Sequence, residues 1–273
     1  MLHLIINADD YAMDASVDEA VLALARRGVV TSTSAMVLSP RWPEAARRLD
    51  PALLDGGLHL DLTSDFATRE GYGQALPRLL ARSLRRDLEA AEISRAVHRQ
   101  LDLFELHAGR PPRFIDGHQH VHQLPGVRQV VADTLGRRYG DQTAPIAVRC
   151  CVGARWRGFK AALIGALGGR ALQRLCAKRG WTANSDFVGV YDFDEAADLP
   201  RLWADWLTGL DGGLPLAMCH VAAPGHPHDP GDPIHAARLR EFAWLQSEAF
   251  RDLCERHGLA AGRWPTAAPA PRA

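Results

Sequence analysis

The sequence predicts an α/β fold: a single-domain (β/α) barrel of about seven parallel strands. Three observations carry this. Short apolar, β-branched runs alternate with longer stretches of helical periodicity, the βαβα rhythm of a parallel sheet with helices outside it. Seven such strands in one cycle suit a closed or nearly closed barrel better than an open sheet. The length of 273 residues suits one large α/β domain.

Leu2 to Ile6 reads as a buried strand that runs into Asn7-Ala8-Asp9-Asp10. Ser16 to Arg27 reads as a helix, with Ser16 and Glu19 as a capping box and Gly28 as its stop. Val29 to Val37 is expected as the second strand and Pro40 to Leu49 as a short helix. Leu58 to Leu62 is the third strand. The stretch 66–87 is weakly patterned and reads as a loop over the site. Ile93, Val97, Leu101 and Phe104 lie at helical spacing, so 88–107 is a helix with one buried stripe. Phe114 to Gly117 is the fourth strand and Gly126 to Arg137 a helix. Ile146 to Cys150 is the fifth strand, followed by a helical stretch over 158–178. Phe187 to Tyr191 is the sixth strand, with a helix near 195–209. Leu214 to Val221 is the seventh strand, and 234–256 reads as one final helix. The barrel is expected to span 1–265. The Pro/Ala-rich stretch 266–273 is expected to fray as a flexible tail.

In a parallel barrel the chemistry sits at the C-terminal ends of the strands. Polar residues recur there: Asp9 and Asp10 after strand one, and His59 and Asp61 on strand three. Strand four runs into Asp116-Gly117-His118-Gln119-His120-Val121-His122. Arg149 ends strand five and Cys219-His220 ends strand seven. Alone, each has an ordinary explanation. An Asp-Asp pair can open a turn, and a single strand histidine is commonly a core residue. Convergence of five segments on one face is what points to a site. Alternation along an extended strand would put His118, His120 and His122 on one side. Two imidazoles and a carboxylate with an open position suit a catalytic divalent metal, which activates water and polarises a carbonyl. One of the adjacent aspartates can then face the metal and the other the water. A carboxylate would serve as general base and a protonated group as acid.

Composition narrows the function classes. Apolar residues make up 47% and charged residues 23%, the mixture of a soluble globular protein. Lys+Arg and Asp+Glu balance at 32 each, so no basic excess points to nucleic acid. Five cysteines in no zinc-knuckle or disulfide-framework spacing point to reduced thiols. The first residues lack a signal-peptide pattern. No run approaches the roughly 20 apolar residues of a membrane span. The expected location is cytoplasmic. The segment Arg155–Lys160 precedes an apolar helix and reads as a lid, a homodimer interface or a membrane-surface contact.

The motifs resemble those of the YdjC-like carbohydrate deacetylases. That family includes chitooligosaccharide deacetylase and a hopanoid-biosynthesis-associated branch. The resemblance rests on NADDYAMDASVDEAV with VVTSTSAMV, then GLHLDLTS, FIDGHQHVH, AVRC and MCH, in order along nearly the whole chain. It implies a distorted (β/α) TIM-like barrel, one divalent metal ion (Mg2+ or Zn2+) and an N-acetylated carbohydrate substrate. Carried over by position, Asp10, His59 and His118 match the metal ligands. Asp9 matches the general base, with Arg149 pairing to it, and His220 the general acid. Val221 follows His220 where the family commonly has proline, so His120 and His122 remain candidates for the acid. Asp61, His120, His122 and Tyr11 are expected at the substrate. Phe66, Tyr72, Trp156 and Trp181 join Tyr11 as aromatics able to face a sugar ring. Competing readings are a metal-dependent amidase or phosphoesterase on a non-sugar or lipid-linked substrate, and a non-catalytic carbohydrate-binding protein.

Overall fold

The computed structural model describes residues 2–140, 146–210 and 212–266. Most of the expected tail therefore lies outside the described residues. In chain order the elements are β1 (Leu2–Tyr11), α1 (Ala15–Arg26), β2 (Ser32–Ala35), α2 (Trp42–Arg47), β3 (Asp55–Leu60), α3 (Asp65–Arg69), α4 (Leu76–Arg85), α5 (Ala90–Ala108), β4 (Phe114–Gly117) and α6 (Val127–Tyr139). Then come β5 (Ala147–Val148), α7 (Phe159–Ile164), α8 (Arg170–Arg179), β6 (Phe187–Val188), α9 (Leu199–Leu207), β7 (Leu216–Cys219), α10 (His235–Leu245), α11 (Glu248–Arg256) and β8 (Leu259–Ala261).

Seven strands pair in the order β5-β4-β3-β2-β1-β7-β6, every pair parallel. The sheet curls into a half-barrel. Across the gap, Val148 of β5 forms one parallel bridge to Ala183, in the segment that leads into β6. The side chain of Asn184 completes the seam. It accepts from Cys150 N at 2.7 Å and donates to Cys150 O and Asp186 O, each at 2.9 Å. The seven expected strands are present: β4 has the expected limits, β1 runs five residues longer, β3 begins three residues earlier, and β2, β5, β6 and β7 are shorter. The short β8, which pairs with the first residues of β1, went unforeseen. Three residues after Gly258 carry too little pattern to read.

The helices bury their apolar faces on the sheet. The stripe Ile93, Val97, Leu101 and Phe104 of α5 is buried as its spacing predicts. Four local expectations need correction. Helix α1 is capped by Asp14, whose carboxylate accepts from Val17 N at 2.9 Å, so Ser16 is no cap. Ser16 instead donates to Ala223 O at 2.8 Å. The 66–87 stretch holds helices α3 and α4 rather than a loop. Only Leu79 and Ser83 of α4 are fully buried, while Leu76 and Leu80 face a cavity, so its pattern is faint. The final helix is two, because Ser247 caps α11 through Phe250 N. The 158–178 helix is interrupted by a widened turn at Gly165–Gly169. There Gly168, at φ 143°, packs directly on the carbonyl of Gln123 and leaves no room for a side chain.

Among the described residues, no helix is long and apolar enough to cross a membrane.

On β3, a Cβ at Gly57 would overlap the ring of Phe114, itself buried and stacked 5.3 Å from Trp264. Gly57→Ala should therefore cost about 1–3 kcal/mol, as overpacking does. Urea denaturation measures it. An unchanged midpoint would mean that the ring shifts freely.

Candidate metal centre and active site

The site begins with a distortion of β1. Regular alternation would send Asp9 and Asp10 to opposite faces. Instead the register with β2 slips between Ala8 and Tyr11, and Asp10 adopts φ 69°. This bulge turns both carboxylates toward the strand ends of β3, β4 and β7.

Asp10, His59 and His118 meet there. Asp10 Oδ1 lies 3.3 Å from His59 Nε2 and 3.1 Å from His118 Nδ1. Donor atoms around a tetrahedral zinc sit about 3.3 Å apart, given bonds of 2.0–2.1 Å. The three residues form a set whose ligand atoms all lie within 4.8 Å of one another. Asp116 pairs with His59 Nδ1 at 2.6 Å, which turns Nε2 toward the cluster, where loss of its proton would free it to bind an ion. The donor set thus fits a divalent cation. A second set, Asp9, His59 and Asp116, is also close enough. Arg149 takes both oxygens of Asp9 and one of Asp116, whereas Arg238 binds Oδ2 of Asp10 and leaves Oδ1 facing the two histidines, which favours the first set.

Arg149 is fully buried beneath the site. It grips Asp9 with two bonds of 2.6 and 3.0 Å and reaches Asp116 at 3.0 Å. Asn7 adds a bond to Asp9 at 2.7 Å, and Ser34 one to Asp116 at 2.5 Å. Burial alone would raise the Asp9 carboxyl. Arg149, with His59 and His220, overrides it and holds Asp9 well below the usual carboxylate range. Burial likewise opposes ionisation of Asp10, and Arg238 with the two histidines wins. His59 shows the converse: burial lowers it, yet Asp116 and Asp9 push it up to about 10. Three carboxylates thus share one pocket with Arg149, Arg238 and His59 as their compensating charges.

The expected row of histidines is absent. β4 stops at Gly117, and the chain turns tightly with Gln119 and His120 at φ 52° and 61°. The three rings diverge. His118 reaches Asp10, and His120 lies 3.4 Å from Cys151 Sγ. His122 is buried against Arg149 O at 2.8 Å, so it braces the arginine and faces no substrate. Asp61 and Tyr11 are also corrected as substrate contacts. Asp61 is buried and accepts from the backbone N–H groups of Thr63 and Ser64. Tyr11 is buried and donates to Ala45 O at 2.9 Å. His220 lies 3.9 Å from Asp10 Oδ2, and burial pushes it down to about 4.

A cavity of about 740 Å³ opens over Asp9, Asp10, His59, His118, His120 and His220. Much of its wall is apolar, including Leu76, Leu80, Leu124, Leu163 and Leu167. Its aromatics are Tyr191 and Phe193, not the five expected from the sequence. Phe193 sets its ring edge-on to His220 at 5.0 Å. Arg238 was also unforeseen. It joins Asp10 Oδ2 at 2.7 Å to Asp232 at 2.8 Å. Nothing local marks it, since it is one of two arginines on α10. Glu241, three residues on, accepts from Tyr191 OH and His220 N, and burial pushes it up to about 8.

The sequence matches the YdjC-like protein family over residues 3–256. The chain is a member of the YdjC-like family. Human carbohydrate deacetylase is 27% identical over 250 residues, covering 84% of this chain and 76% of its own. Chitooligosaccharide deacetylase of Yersinia enterocolitica (serotype O:8) is 31% identical over 136 residues, covering 47% of this chain and 53% of its own. A solved Enterococcus faecalis V583 protein named for cellobiose-phosphate cleavage superposes with TM-score 0.72 at 22% identity, covering 96% and 97% of the two chains. A peptidoglycan N-acetylglucosamine deacetylase superposes with TM-score 0.51 at 12% identity, covering 97% and 87%. These two establish the fold, a distorted barrel.

Asp116→Asn removes the carboxylate that orients His59. It should weaken divalent-metal binding about 10–100-fold, the usual effect of losing such a partner. Calorimetric titration with Zn2+ reads this, and an unchanged affinity would detach Asp116 from the metal centre.

Proposed function

We propose that this YdjC-like protein is a metal-dependent deacetylase that releases acetate from an N-acetylated sugar or oligosaccharide. The observation that carries the reading is the Asp10–His59–His118 cluster opening on a cavity beside the arginine-held Asp9. The names of the human and Yersinia relatives agree with it.

Asp10, His59 and His118 would hold the ion, Zn2+ or Mg2+. The cation would supply Lewis-acid polarisation of the amide carbonyl and acidify a water. Asp9, ionised and fixed by Arg149, takes the proton of the attacking water. Arg149 acts through Asp9 and does not meet the substrate. His220, on the Asp10 side of the cluster, protonates the departing nitrogen. The anionic adduct raises its pKa as charge develops. The leucine-rich wall excludes bulk water and strengthens these interactions. The products are acetate and a free amine on the sugar.

The same wall favours a second reading, in which the acetylated sugar carries an apolar portion. Trp156, just before α7, and Phe159, at its start, are exposed at 72% and 75%, and Leu163 of α7 lines the cavity. An apolar aglycone would extend along this side.

Acetate release from N-acetylglucosamine, chitobiose and an octyl glycoside of N-acetylglucosamine tests both. Release that stops with chelator and returns with added metal is expected. A higher kcat/KM for the octyl glycoside would select the second reading. No release from any of them, with metal bound, would remove the function. Asp9→Asn should lower kcat by about 10²–10⁴-fold, the worth of a general base. Metal affinity measured by calorimetry should persist, and retained turnover would reassign the base.

A further inference from the structure

One contact in the cavity wall has no part in holding the metal or orienting Asp9. His120 Nδ1 lies 3.4 Å from the sulfur of Cys151. Cys151 is buried, and its neighbour Arg149 flanks the same sulfur. His120 sets its edge on Phe187 at 5.9 Å, and the Arg149 guanidinium lies 5.7 Å above that same ring. The imidazole is therefore held on two sides.

Two arrangements suit this contact, Nδ1–H donating to sulfur or S–H donating to Nδ1, and the surroundings of the sulfur favour the second. A guanidinium only donates, so Arg149 cannot accept the thiol proton. Burial pushes the Cys151 thiol up to about 12 against the opposing pull of Arg149, so the sulfur keeps its proton at neutral pH. Among its neighbours, the acceptor within reach of that S–H is His120 Nδ1. An imidazole that accepts at Nδ1 carries its own proton on Nε2. His120 lines the cavity, and no described residue takes a hydrogen bond from its Nε2. Asp9 and His220, the groups given to base and acid, are close enough to act on it electrostatically.

We propose that His120 presents an Nε2–H donor to the acyl oxygen of the substrate, and that the Cys151 thiol is the positioning residue that sets this tautomer. The proposal rests on amide hydrolysis at this site. It adds a second stabiliser of developing oxyanion charge, supplied by the chain itself. The left-handed turn at Gln119-His120 has a purpose in this light. It lifts the ring out of the strand direction and onto the cavity wall.

Selective 15N-histidine NMR tests it directly, with His120→Gln used to assign the signal. The wild type should show Nε2 protonated and Nδ1 bare, and added acetate should move the Nε2 signal. Cys151→Ala should give a tautomer mixture and lower kcat about tenfold, with KM nearly unchanged, as for a weakened oxyanion donor. Cys151→Ser, which keeps an O–H donor, should hold the wild-type tautomer and recover most of the rate. A protonated Nδ1 in the wild type would overturn the proposal. So would an alanine variant with an unchanged spectrum, or an Nε2 signal that ignores acetate. If acetate moves the signal as expected while no amide is turned over, the deacetylase reading fails and the acyl-oxygen donor stands.

Discussion

The buried pairing of Arg149 with Asp9 and Asp116 is the interaction on which the site depends. Both carboxylates are buried, where an uncompensated charge is expensive. One guanidinium serves both, and its planar fork matches the two oxygens of Asp9. Removing Arg149 alone would strand two buried anions, a loss of about 3–5 kcal/mol. Asp116 in turn fixes His59, and His59 faces Asp10. The proposed base, the proposed metal ligand and the carboxylate that orients it thus depend on one cation. Asp9, Asp10 and Asp116 face Arg149, Arg238 and His59, and a bound ion would take the place of the His59 proton.

Much of this was legible in the sequence, because strand ends in a parallel barrel converge whatever their exact limits. Asp9, Asp10, His59, His118, Arg149 and His220 are indeed brought together. What failed was geometry that depends on single backbone angles. The DGHQHVH run alternates perfectly on paper, yet two successive left-handed residues send its histidines three ways. Tyr11 adjoins the aspartates in sequence but sits beyond the bulge, in the core. Arg238 and Glu241 were hidden for another reason. They come from the middle of α10, and one charged residue on a helix resembles any other until its partner is known.

The cavity sets its chemistry within an unusual wall. Its base carries ionised groups, whereas α4 and the α7 region present leucines. Such a site distinguishes two ends of a ligand: one that must hydrogen-bond and one that need only exclude water. Helix α4 was misread for the same reason. Its leucines complete a hollow and leave the core to others, so the segment lacks the dense apolar signature of a packed helix.

The seam at Asn184 has a consequence of its own. An unclosed sheet ends in two edges whose free amides and carbonyls could recruit another strand and drive aggregation. Here Asn184, with Val148 N bonded to Thr182 O, occupies those groups on both sides of the gap. A single amide side chain does the work of a missing strand. The half-barrel stays open while the edge groups named here are engaged within the chain itself.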